Sequence, residues 1–249
     1  MIDLARNLGI QSYCFRGFKS NEEVIEKVKA CGTNKIELCG VHADFEDISG
    51  FQSVVDLYRK HGVGIVCIGV QGFSNDPKRE EQYFQCAQRA ECRYLSVDFD
   101  LKTMPSCFRT AERLAEKYDV RLAIHNHGAG HWLGTSAMLE HVFQQTNDRI
   151  GLCLDTAWAI DARQDPAHMT QRFGDRLYGL HIKDFTYLRD RTPEDVVVGQ
   201  GLLDLSGLIS ALDSVSFQGY AVLEYEGDVD NPVPALTQCV EAVRTACGG

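Results

Sequence analysis

The chain has 249 residues, 44% hydrophobic and 24% charged, with 25 Lys and Arg against 35 Asp and Glu. That composition excludes disordered and fibrous classes, and the length is enough to bury a large core without staples. A formal net charge of −10 weighs against duplex DNA or an anionic membrane surface, both of which need surplus Lys and Arg, so neither a nucleic-acid nor a membrane partner is expected.

Short apolar, β-rich runs alternate with amphipathic stretches along the chain. Strands are predicted over 8–13, 34–39, 63–70, 92–99, 120–127, 150–155, 176–184 and 220–226. Helices are predicted over 20–31, 49–61, 77–90, 106–118, 135–145, a short stretch near 166–173, 205–213 and 233–246. The first helix opens on Ser20 with Glu23 three residues on, a capping box, and Gly32 follows its last residues as a C′ glycine.

Eight strands in strict alternation with eight helices fit an α/β fold, a parallel (β/α)8 TIM barrel. No linker or composition shift divides the chain, so one domain over residues 1–249 is expected. A doubly wound nucleotide-binding sheet would want GxGxxG or GxxxxGK[ST] after its first strand. Strand 8–13 runs instead into Cys14-Phe-Arg-Gly-Phe-Lys19.

Cys31, Cys67, Cys86, Cys92, Cys153 and Cys239 fall inside apolar or helical segments, and no CxxC pair occurs, so the ten cysteines read as reduced small hydrophobes. The opening MIDLARNLGIQSYCF lacks a basic segment followed by an unbroken apolar run, and no run of ~18 apolar residues exists. A cytoplasmic location is the expectation.

Barrel active sites lie at the C-terminal strand ends. Strand two ends at Glu37 with His42 shortly after, strand four at Ser96-Val-Asp98, strand five at His125-Asn126-His127 and strand six at Asp155. Strand seven ends at His181-Ile-Lys183-Asp184 and strand eight at Glu224-Tyr-Glu226. Alternation puts His125 with His127, His181 with Lys183, and Glu224 with Glu226 on one face of their strands. Asp155, His181 and Glu224 close three neighbouring strands ~4.8 Å apart, so their heads can converge on one point. Mn²⁺, Mg²⁺ or Zn²⁺ accepts such mixed carboxylate and imidazole ligands. A lone His at a strand end is usually a hydrogen-bonded rim residue, and a lone Asp there often caps the next helix. The coincidence at consecutive strand ends favours a metal site. His61, His141 and His168 read as surface or helical residues.

With these residues in view, the chain resembles the xylose-isomerase-like barrel superfamily, in its sugar isomerase/epimerase group. The resemblance rests on HNHG (125–128), GLCLDTAWA (151–159), LHIKDF (180–185), GQGLLD (199–204) and VLEYEG (222–227), in that order. It implies one divalent ion held by residues closing strands five to eight, with Asp155, His181 and Glu224 as the last three. Many members close strand five with a glutamate where this chain has His125, so His125 is read as the fourth ligand. Mn²⁺ is preferred, and the added nitrogen admits Zn²⁺, Co²⁺ or Fe²⁺ alongside Mg²⁺.

The implied activity is proton abstraction next to a carbonyl of a sugar or keto-sugar through a metal-stabilised enediolate. An isomerase or epimerase is expected first, and a lyase or dehydratase acting on a keto-sugar or inosose second. Candidate catalytic groups are Glu37, His127, Lys183 and Glu224; His42, Trp158, Asp184 and Glu226 are candidates for substrate contacts, and Trp132 for a sugar face. Two further readings are an abasic-site endonuclease, disfavoured by the acidic charge, and a non-catalytic sugar-binding barrel. A homo-oligomer is compatible with the sequence. The loop expected over 185–201 mixes Arg189 and Arg191 with Asp190, Glu194 and Asp195, and the last strand runs into Glu226-Gly-Asp228-Val-Asp230. Like charges ~6 Å apart cost about 1–3 kcal/mol, so a neutral substrate is expected over a phosphorylated one.

Overall fold

Strands and helices alternate from residue 8 to residue 246. The structure, a computed structural model, describes Leu4 and residues 6–248. Met1 to Asp3 and Ala5, part of the stretch read for a leader, lie outside the described residues. The first half comprises β1 (Leu8–Gln11), α1 (Asn21–Ala30), β2 (Lys35–Leu38), α2 (Ile48–Lys60), β3 (Gly64–Ile68), β4 (Gln71–Phe73), α3 (Pro77–Arg89), β5 (Tyr94–Phe99) and α4 (Ser106–Tyr118). The second half comprises β6 (Arg121–His125), α5 (Ser136–Gln145), β7 (Ile150–Asp155), α6 (Thr156–Asp161), α7 (Pro166–Phe173), β8 (Leu177–Ile182), β9 (Asp184–Tyr187), β10 (Pro193–Val196), α8 (Leu205–Ser214), β11 (Tyr220–Leu223) and α9 (Val233–Ala246).

Nine strands pair in the order β3-β2-β1-β11-β8-β7-β6-β5-β4, every pair parallel. The last barrel strand lies beside the first, from Leu8↔Ala221 to Ile10↔Leu223. β4 follows β3 after two residues, so the chain itself bridges the remaining gap of the barrel.

Three departures from the sequence expectation matter. The third strand, expected unbroken over 63–70, splits into β3 and β4 around Gly69, where an added Cβ would run into Ser96 Oγ and meet its carbonyl oxygen at 2.6 Å. The chain bends there because the neighbouring strand lies too close for any side chain. A helical turn, α6, leaves β7 directly. The segment expected as a loop after strand seven folds as an antiparallel hairpin, β9 against β10, with Asp184 opposite Val196 and Tyr187 opposite Pro193.

Local signals in the sequence act as expected at α1. Ser20 Oγ accepts the Glu23 N–H at 3.4 Å, and Gly32 takes the positive φ of +82° that ends the helix. Outside the barrel, α3 and α4 lay Phe84 and Phe108 against Phe73 and Phe99, with ring centroids 5.0–6.1 Å apart. Within it, Cys67, Tyr94, Ala123, Cys153 and Tyr178 form a separate buried layer beneath the polar strand ends. Among the described residues no disulfide joins the ten cysteines, nine of which are buried, and no helix is long and apolar enough to cross a membrane.

Gly179 makes room for that layer: a Cβ there would lie 2.7 Å from the Tyr94 ring. Gly179→Ala should therefore destabilise the fold by about 1–3 kcal/mol. Gly72→Ala, whose Cβ would meet nothing within 4 Å, should change it by under about 0.5 kcal/mol. Chemical denaturation of both variants checks the contrast.

Candidate metal centre

The two-residue repeat of a strand carries polar side chains to the mouth from adjacent strands. His125 ends β6, Asp155 ends β7 in register with His181 of β8, and Glu224 follows β11, its N–H donating to the Ile182 carbonyl at 3.2 Å. His125 Nε2 lies 3.1 Å from His181 Nδ1, 3.6 Å from Asp155 Oδ2 and 3.9 Å from Glu224 Oε2. His181 Nδ1 lies 2.6 Å from Glu224 Oε2. One ligand atom from each of the four lies within 4.8 Å of the other three. Tetrahedral ligands about 2.1 Å from one ion stand roughly 3.4 Å apart, so this spacing suits a shared cation.

The surroundings orient the four. Glu37 is fully buried; its Oε2 accepts from His181 Nε2 at 3.0 Å, and its Oε1 accepts a short bond from Ser96 Oγ. That contact fixes a proton on Nε2 and turns Nδ1 toward the cluster, where a bound cation would displace the proton that Nδ1 otherwise shares with Glu224, the carboxylate–histidine arrangement of metal sites. Asp155 serves two partners. Its Oδ1 accepts the Trp158 N–H at 2.8 Å, capping α6, while its buried Oδ2 makes no hydrogen bond. Asn126 holds the strand end by a reciprocal pair, donating to the Asp155 carbonyl at 3.0 Å and accepting from the Asp155 N–H at 2.8 Å.

The charge balance follows from burial. Desolvation pushes Glu37 and Glu224 upward, yet both carboxyls are held below the usual range, Glu37 by His181 and Ser96 and Glu224 by Lys183 and His181. Burial opposes charge on His181, but Cys153, Glu37 and Glu224 hold its pKa well above the ordinary value. Lys183 is likewise raised against its burial, by Glu224, Asp155, Asp195 and Glu226. Its Nζ makes a short contact with Glu226 and lies 3.6 Å from Glu224 Oε1 and 3.7 Å from Asp195 Oδ1.

The structure brings together His125, Asp155, His181 and Glu224, with Glu37, Lys183 and Glu226 around them. Trp158 stands beside Lys183, 5.5 Å from its Nζ, and against Phe185. Three other candidates have partners of their own. Asp184 points away from the mouth: its carboxylate accepts four backbone N–H groups, of Gly199, Gly201, Leu202 and Leu203, each at 2.9 Å, leaving nothing for a substrate. His42 is buried in the β2–α2 loop, its Nε2 bonded to the Phe18 carbonyl at 3.0 Å, and takes no part in the cluster. Glu37 has both oxygens engaged, by Ser96 and His181. Sequence reasoning gave no role to Asn126 or Ser96, and read Asp195 only as one acid of a mixed-charge loop. The signal for Asn126 was its parity: between two inward histidines, it must face the neighbouring strand.

Residues 25–245 match the family model described as xylose isomerase-like TIM barrel. The chain belongs to that family. An inosose dehydratase from Geobacillus thermodenitrificans is 21% identical over 220 residues, covering 82% of this chain and 72% of the relative. Seven inosose dehydratases and the rhizopine catabolism protein MocC of Rhizobium meliloti are matched over 40% to 72% of their own length. The solved structure of a 3-keto-D-glucoside 4-epimerase from E. coli superposes with a TM-score of 0.74 at 17% identity, covering 96% of this chain and 99% of that one. The IolI protein with a bound zinc atom superposes with a TM-score of 0.74 at 15% identity, covering 96% and 97%. At these identities the structural likeness speaks to the xylose isomerase-like barrel alone.

Asp184→Ala removes the acceptor of four N–H groups, each such charged bond contributing about 1.5–3 kcal/mol. Amide exchange at residues 199–203 should quicken at least tenfold while strands β6 and β7 keep their protection. Unchanged exchange in that segment would show that Asp184 does not tie it down.

Proposed function

We propose that this chain is a divalent-metal-dependent enzyme that removes the proton next to the carbonyl of a neutral sugar or keto-sugar and then eliminates water. The observation that carries this reading is the buried convergence of two imidazoles and two carboxylates, with Asp155 Oδ2 left without a hydrogen bond. A buried, unpartnered carboxylate oxygen among other acids is what a cation would satisfy. His125, Asp155, His181 and Glu224 would hold it. Bound there, a divalent ion supplies Lewis-acid stabilisation of charge developing on substrate oxygens. Two nitrogens and two carboxylates suit Mn²⁺ and admit Zn²⁺, Co²⁺ or Fe²⁺.

The remaining roles fall to the chain. Glu37 acts through His181 as a positioning residue. Glu224 Oε1 is not bonded to His181 and faces Lys183, so Glu224 is the carboxylate placed to take a C–H proton. The Lys183 ammonium steadies negative charge on the departing or carbonyl oxygen. Isomerisation or epimerisation through paired bases needs a second acceptor across the enediolate. The resemblance puts a second glutamate on strand five, where this chain has His125. A single carboxyl suffices for elimination. The C–H bond breaks with its proton on Glu224, the C–C double bond forms, and the β-hydroxyl leaves on the same face as water, carrying that proton. This agrees with the dehydratase relatives.

The substrate is proposed to be neutral because Glu224, Glu226 and Asp195 surround Lys183 and would repel a phosphate dianion brought to it.

Two outcomes test the reading. His181→Ala should lose its ion under mild chelation, and Glu37→Gln should bind metal 10–100-fold more weakly with its fold intact. Unchanged metal content in His181→Ala would remove the centre. In deuterated water, a screen of neutral keto-sugars and keto-inositols with their phosphates should give dehydration, with kcat/KM at least tenfold lower for the phosphates. Epimer formation without water loss, or a preference for phosphates, would overturn the respective part.

A further inference from the structure

The strand-five motif continues past the first cluster. The β6–α5 connection turns back on itself, His131 N–H donating to the Gly128 carbonyl at 2.9 Å and Gly134 N–H to the His131 carbonyl at 3.0 Å. Trp132 Nε1 donates to the Phe99 carbonyl at 2.9 Å, which pins the loop to the end of β5 and sets His131 beside Asp98. From this arrangement we infer that a second divalent transition-metal ion binds beside the first cluster, held by Asp98, His127 and His131.

One ligand atom from each of the three lies within 4.8 Å of the others. Groups of this kind normally saturate one another, and these do not. Asp98 Oδ2 and His131 Nε2 stand 3.4 Å apart, long for an ion pair between two such groups. Asp98 Oδ1 and His127 Nδ1 are buried atoms with no hydrogen-bond partner at all. Three converging donors with two unsatisfied atoms form a site that a cation completes. The Leu133 N–H donates to His131 Nδ1 at 3.2 Å; ligation through Nε2 moves the ring proton to Nδ1 and exchanges that one weak contact for a metal–nitrogen bond.

The donor set indicates the ion. Two imidazoles and one carboxylate select Zn²⁺, Co²⁺ or Fe²⁺ over Mg²⁺, which wants oxygen. The site is also open. Asp98 and His131 keep 34% and 29% of their side chains exposed. They line a cavity of about 380 Å³ with Ser74, Arg79, Asp100 and Trp132, room for water or a substrate oxygen on the ion's free side. The His125 and His127 rings lie 4.9 Å apart, so both ions would serve one mouth. This assignment uses none of the four residues of the first centre and stands whether or not the elimination reading holds.

The test is stoichiometry. Chelator-stripped full-length protein is reloaded with Zn²⁺ or Co²⁺, desalted, and its metal content measured by mass spectrometry. Two ions per chain are expected in the wild type, and one in Asp98→Asn and in His131→Ala. His181→Ala should also keep one, now at the second site. Reloading with Mn²⁺ should give a spin-coupled resonance spectrum that becomes uncoupled in Asp98→Asn, a conservative change at a half-exposed position. One ion per wild-type chain, or a count unaltered by both Asp98→Asn and His131→Ala, would overturn the second site. A count unaltered in His181→Ala would overturn the first site and leave the second standing.

Discussion

Everything at the barrel mouth depends on keeping Glu37, Asp155 and Glu224 charged out of water. Two unit charges 4 Å apart repel by about 4 kcal/mol at an effective dielectric near 20, so three carboxylates cannot share this space without cations. His181 and Lys183 supply part of the answer, and both are held protonated by the acids around them. The unbonded Asp155 Oδ2 marks where that compensation ends. Below the acids, the barrel is filled by Cys67, Tyr94, Ala123, Cys153 and Tyr178, which exclude water from beneath and strengthen each electrostatic contact above.

Adjacent residues at a strand end face opposite ways, and that parity divides chemistry from scaffolding. Lys183 points into the mouth, while Asp184 turns out to collect four backbone N–H groups of the segment that follows the hairpin. His125 and His127 point inward, while Asn126 clamps the backbone of Asp155. The outward member of each pair fixes the loop or strand that the inward member works from. Substitution at Asp184 or Asn126 therefore acts on the site through geometry.

Most of the architecture was legible because barrel strands are short apolar runs and their helices strongly amphipathic. The polar strand ends stood out against that background, so Asp155, His181 and Glu224 could be picked by position, while His125 entered the set through the family resemblance at strand five. What escaped the sequence required knowledge of partners across the barrel. Glu37 reads as a free acid until Ser96 and His181, distant in sequence, engage both its oxygens. Asp184 reads as a rim acid until the chain returns fifteen residues later. The break at Gly69 depends on how closely β5 approaches, and no local propensity records that distance. Asp155 shows why capping and ligation need not be rival readings: one oxygen caps α6 and the other faces the cluster.

The hairpin of β9 and β10 ties substrate charge to fold. It carries Asp195 over Lys183, and Asp195 Oδ1 accepts the Glu226 N–H at 3.1 Å, so the cover, the lysine and the end of the last strand form one network. Burial raises the Asp195 carboxyl to about 6, although Lys183 and the Glu226 N–H pull it down. A group so placed adds negative field where a phosphate would lie, and its own desolvation is offset only while Lys183 stays beside it. A phosphorylated ligand that drew Lys183 away would strand both Asp195 and Glu226 without their cation. Lys183 therefore serves the acids that hold the cover in place before it serves a ligand, and a neutral substrate is the kind that leaves this arrangement undisturbed.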